Sequence, residues 1–195
     1  MTMTRAFALF IAVVGTFLYI KTVYFSQENW EDYHNAGLAA YGKGDYAEAE
    51  KKLLAALHEA EKFPIDDPRL ALSLNNMAEI DRVQGKYAEA EPYIKRSLAI
   101  AEKVQGSEHP KVAAILNTLA GNYRVRGMYA EAAPLAKRAF IIWEKTLGLE
   151  NPLVNFALEG YVDLLHKIGR DAEAKSFVAH LKARQPNPAQ GDSGN

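Results

Sequence analysis

Two pairs of residues recur at a fixed interval and could recognise another chain. Asn75 and Asn117 stand 42 residues apart, and so do Arg82 and Arg124. A primary amide can both donate to and accept from a peptide backbone. A guanidinium presents a planar fork of donors that matches a carboxylate. Two amides beside two guanidiniums would cradle an extended peptide with an acidic side chain or a terminal carboxylate. A plain structural reading competes with this one. The asparagines could hydrogen-bond between neighbouring helices and fix their stacking, and Arg82 could pair with Glu79 three residues before it. The sequence leaves both open.

Other chemistry finds little footing. The chain has no cysteine, which removes thiol nucleophiles, thiolate metal sites and disulfides. Its five histidines, His34, His58, His109, His166 and His180, include no pair at i, i+4 and no HExxH. Asp66-Asp67 before Pro68 reads as a helix cap rather than a metal site. Every recurrent glycine is explained by a turn, so no phosphate-binding loop remains, and no Ser-His-Asp set can be nominated. The expectation is a protein that is not an enzyme, with no cofactor, no metal and no small-molecule substrate. A net charge of −1 lacks the basic surplus of a nucleic-acid binder. With 49% hydrophobic and 24% charged residues over 195 positions, the chain has enough apolar content to fold.

The elements that must position these residues are legible from an internal repeat. GDYAEAE begins at Gly44, GKYAEAE at Gly85, GMYAEAA at Gly127 and GRDAEAK at Gly169, at steps of 41, 42 and 42. A second marker keeps the step: DPRLA at Asp67, HPKVA at His109 and NPLVN at Asn151. Such a period means stacked supersecondary units. Each unit holds two helices. The first opens at the X-Pro marker, where Asp67 and Asn151 are good caps and His109 a poorer one. Its buried stripe is Leu70, Leu74, Met77; then Val112, Leu116, Leu119; then Val154, Leu158, Tyr161. It ends at Gly85, Gly127 or Gly169. The second helix carries a small column at Ala49, Ala90, Ala132 and Ala174, and another at Ala56, Ser97 and Ala139. Leu53, Leu57, Ile94, Leu98, Phe140 and Ile141 fill between them. Pro92 and Pro134 recur inside this helix, each at the cost of one hydrogen bond.

The N-terminus is different. Residues 6–25 are uncharged but for Lys21 and mostly apolar, long enough to cross about 30 Å of hydrocarbon. Bulky residues follow the apolar core, so an uncleaved signal anchor is expected rather than a cleaved signal peptide. Trp30 would sit at the far interface with Tyr24 and Phe25. The first lead helix lacks the X-Pro marker, leaving open that it runs on from this segment. The layout is then a tip at 1–5, a transmembrane helix at 6–25, an array over 26–184 and a disordered polar tail at 185–195. The repeats fall at about 28–66, 67–108, 109–150 and 151–184.

Helix–turn–helix units with a turn glycine and then Tyr-Ala-Glu-Ala resemble tetratricopeptide repeats. The 42-residue step is similar to that of the kinesin light chain variety. The stretch KRSLAIAEKVQGSEHPKVAAILNTLAGNYRVRGMY, from Lys95 to Tyr129, carries the likeness most closely. The resemblance implies an all-α, right-handed superhelix of about four repeats whose first helices line a concave groove. It places His34, Asn75, Asn117 and Glu159 at one register position, Glu79 and Asp163 at the next, and Tyr41, Arg82, Arg124 and His166 at a third. Glu159 and Asp163 would make one end of the groove acidic and so give a bound peptide a direction. The implied function is a membrane-anchored adaptor or scaffold for a partner protein or peptide, with a structural subunit of a membrane complex as the alternative. A short, cysteine-free anchored array is expected in a bacterial inner membrane, and the flanking charges favour a domain on the periplasmic side.

Overall fold

The computed structural model describes residues 29–184, which form eight α-helices and, among these residues, no strand. They are α1 (Trp30–Gly42), α2 (Tyr46–Ala60), α3 (Pro68–Val83), α4 (Tyr87–Gln105), α5 (Pro110–Val125), α6 (Tyr129–Leu147), α7 (Pro152–Lys167) and α8 (Asp171–Arg184). The repeat seen in the sequence is a repeat of helix pairs.

Each first helix is started by a side chain at its marker. Asp67, His109 and Asn151 accept from the backbone N–H two residues on, at 2.9, 3.2 and 2.9 Å. His109 thus caps α5 through Nδ1, which must carry the lone pair. In α1 the cap is Asn29, in a reciprocal box with Asp32. This cap, with Asn29 in an extended conformation, sets the start of α1 at Trp30.

Each first helix also ends in one way. The residue after the turn glycine donates back to a carbonyl five residues earlier: Asp45 to Ala40, Lys86 to Asp81, Met128 to Tyr123 and Arg170 to Leu165. That bond needs a left-handed residue before it, and Gly44, Gly85, Gly127 and Gly169 hold φ of 74–76°. The four GxxAEA motifs therefore encode one hairpin turn.

The chain divides into two compact units between Met77 and Ala78, within α3. In the first, α1 lies along α2. Trp30 is held there: its indole donates to Ser73 Oγ at 2.9 Å and its ring stacks on His34 at 4.7 Å. In the second unit α5 packs on α4 and α6, and α7 on α6. One cluster is built on Ala90, Ile94, Leu119, Ala132 and Leu165, another on Val112, Leu116, Phe140, Trp143 and Val154. Each large apolar side chain so buried contributes about 1.5–3 kcal/mol relative to leaving it in water. The alanine columns are buried at all four and all three positions respectively, Ser97 included. Glu91 joins α4 to α5, accepting from Tyr123, Arg126 and Lys95.

Several expectations need correction. Ile141 is exposed, because the helix turns Phe140, Ile142 and Trp143 inward instead. Trp30 packs within the first unit rather than marking an interface. The transmembrane helix expected at 6–25 and the tail at 185–195 lie outside the described residues. Among the described residues no helix is long and apolar enough to cross a membrane. The longest, α4 and α6, have 19 residues each and carry ionic side chains along their length, such as Glu91, Lys95 and Glu102 in α4. The placement in a bacterial inner membrane with a periplasmic domain is corrected on this finding.

Candidate functional site

Four of the ten residues expected to line a groove meet in the second unit. Asn117 and Arg124 from α5 face Glu159 and Asp163 from α7 across a cleft of about 270 Å³. Its floor is apolar, made by Ala120 of α5, Ala136 of α6 and Leu164 of α7. Phe156 stands at the rim with 59% of its surface exposed. Gly121 and Gly160 complete the walls, one from each helix.

The polar side chains of this cleft are free for a ligand. Asn117, Arg124, Glu159 and Asp163 make no hydrogen bond or ion pair among the described residues. Glu159 and Asp163 are four residues apart on α7, hence neighbours on one face.

The other six residues stand differently. Arg82 is held by Glu79 in a two-pronged pair at 2.6 and 2.7 Å. That is the structural reading of this arginine, and it takes Arg82 out of the set of available cations. His34 is buried under Trp30, with Asn76 Nδ2 at 3.2 Å from its Nδ1. Burial lowers its pKa, against a smaller upward pull from Glu31. Its work is to tie α1 to α3. Tyr41 packs its ring on Tyr46 at the α1–α2 turn. Asn75 is exposed on α3 in the first unit and is engaged with a neighbour. His166 turns to Asp171 at the start of α8.

Sequence reasoning passed over Phe156 and Gly160 as cleft residues, and put Gly121 in a groove-side column without naming it as a site residue. Gly121 had a signal, since it breaks the register column that holds Glu79 and Asp163. Both glycines are helical, and a Cβ on either would meet nothing within 4 Å. Neither φ nor packing requires them, although glycine inside a helix costs about 1 kcal/mol against alanine. Asp67, considered for a metal, caps α3 and pairs with Arg69, whose hydrogen bonds hold its carboxyl down at about 2. Among the described residues no three His, Asp or Glu side chains gather as a metal would require.

Helix pairs joined by one repeated turn, with a cleft between successive first helices, define a helical-repeat protein of the interaction class. The chain belongs to the tetratricopeptide repeat family, which it matches over residues 31–102 and again over 69–140. Among solved structures it is similar to BtubC (BKLC) of P. vanneervenii, at a TM-score of 0.66 and 21% identity, covering 85% of this chain and 69% of that one. It is also similar to a kinesin light chain protein of P. anserina with nearly identical TPR-like repeats, at 0.64 and 22%, covering 83% and 78%. Aspartyl phosphate phosphatase F of Bacillus subtilis shares the fold at 0.62 and 16% identity over 84% of this chain, which spans only 42% of that protein. These likenesses establish the fold. No curated protein sequence matches the chain.

Proposed function

We propose that this protein is a non-catalytic adaptor that holds an extended segment of a partner protein in the α5–α7 cleft. The observation that carries the reading is the gathering of Asn117, Arg124, Glu159 and Asp163, all without partners among the described residues, around one apolar floor. Unused hydrogen-bonding and ionic groups beside an apolar surface are what a peptide ligand needs. The two glycines support it, since each gives up helix stability and leaves room in the cleft. Family membership supports an interaction role, because repeats of this kind build extended binding surfaces.

Photo-crosslinking tests the site. A benzoylphenylalanine placed at Asn117 in the full chain, expressed in its own cells, should capture a discrete partner. The same group at Ile141, which is exposed on α6, is the control. Identical adducts from both positions, or none from Asn117, would reject the cleft as the working surface.

A further inference from the structure

The geometry points to a bipolar ligand: a partner segment that places an acidic side chain on Arg124 and a basic side chain against Glu159 and Asp163. This rests on the cleft being the partner site and goes on to name the chemistry it selects.

The acidic half follows from the chain's own preceding repeat. Glu79 stands three residues before Arg82 and fills both prongs of its guanidinium. Gly121 stands three residues before Arg124, and the space where its side chain would begin is open for 4 Å. Arg124 has no partner among the described residues. The same fork thus recurs one repeat later with its internal carboxylate deleted and room left for another. A ligand carboxylate can occupy the place that Glu79 takes beside Arg82.

The basic half follows from the facing wall. Glu159 and Asp163 are adjacent on α7 and unpaired among the described residues. Their two negative charges outweigh the one positive charge of Arg124. A purely acidic ligand gains one pair and meets two like charges. A purely basic one meets Arg124. A segment with both signs satisfies both walls, and the like-charge contacts act against other ligands. The exposed ring of Phe156 and the floor at Leu164 offer apolar surface to the stems of long charged side chains. Two guanidiniums are not both available to an acidic ligand, because Glu79 has already neutralised Arg82.

The test uses a phage library of random dodecapeptides selected on the purified full chain, with enriched peptides measured by fluorescence anisotropy. Enriched peptides should carry an acidic and a basic residue close together. Neutralising either should weaken binding about tenfold, as should Glu159→Gln or Asp163→Asn in the protein. A peptide with its acid changed to lysine should lose binding to wild type and regain it with Arg124→Glu, a gain that misfolding cannot imitate. Enriched peptides that are only acidic, indifferent to Asp163→Asn but lost with Asn117→Ala and Arg124→Glu, would overturn the bipolar ligand and leave the cleft in place. Binding that no cleft substitution moves would overturn both readings. A library that yields no enriched peptide overturns the inference. Self-association in sedimentation equilibrium that disappears with Arg124→Glu would assign the cleft to a second copy of the chain and overturn it as well.

Discussion

Gly37 on α1 faces Leu53 on α2 so closely that a Cβ on the glycine would lie 2.6 Å from Leu53 Cγ and 3.2 Å from its backbone nitrogen. The crossing of the first helix pair depends on that missing methyl. Gly37→Ala should therefore destabilise the protein by about 1–3 kcal/mol, despite the better helix propensity of alanine. Thermal melts of Gly37→Ala, Leu53→Ala and the double variant check this. The two changes should be less than additive by more than about 0.5 kcal/mol, since each relieves the other.

Gly121 gives the opposite expectation. Gly121→Glu rebuilds in α5 the arrangement that Glu79 and Arg82 make one repeat earlier. The fold should gain about 0.5–1 kcal/mol from helix propensity and the i, i+3 pair. Partner binding should fall, because the new glutamate occupies Arg124. A raised Tm together with lost crosslinks at position 117 is the signature; a lowered Tm would show that the space at Gly121 serves the fold.

His34 should make the first unit sensitive to mild acid. Burial lowers its pKa below the ordinary 6.5, so the unfolded chain takes up a proton before the folded chain does. Its contribution is complete above about pH 6.5 and is lost as pH falls below that value. The Tm of wild type should drop between pH 7.5 and 5.5 by more than that of His34→Gln, and the His34 ring should titrate below its ordinary 6.5 by NMR. An equal drop in both proteins would remove His34 from this role.

Glu91 sets a second limit at lower pH. Hydrogen bonds from Lys95, then Arg126, then Tyr123 hold its carboxyl at about 2, against an ordinary 4.5. The stabilisation is present above about pH 4.5 and disappears as pH falls towards 2. Glu91→Gln should cost about 1–3 kcal/mol at pH 7, since it weakens two charge-assisted bonds that tie α4 to Tyr123 and Arg126 and a third, to Lys95, within α4. The difference in urea midpoint from wild type should shrink steadily below pH 4. A constant difference would place the effect in packing instead.

Much of this architecture can be read from residue spacing, because its causes are local. A glycine that must be left-handed, a cap two residues before the amide it binds, and apolar residues at i, i+4 and i+7 act within one or two turns of helix. Repetition then multiplies each signal. Hence the turns at Gly44, Gly85, Gly127 and Gly169 and the buried columns from Ala49 to Ala174 stand where the periodicity puts them. Register also names Asn117, Arg124, Glu159 and Asp163 as candidates for one surface.

What register does not contain is which of its equivalent positions are in use. Arg82 and Arg124 are the same residue at the same place in successive repeats, and the pair made by Glu79 takes up only the first. His34 shares a column with Asn117, yet Trp30 and Asn76 bury it in the first unit while Asn117 borders the cleft. Ile141 and Ile142 are adjacent and identical, and the helix's rotation against its neighbours exposes one and buries the other. The sequence by itself determined the helices, their turns and the columns they share, since those depend on near neighbours along the chain. Only the tertiary structure decided which columns are spent on packing and pairing and which remain open, because that choice is made by side chains from other helices meeting in space.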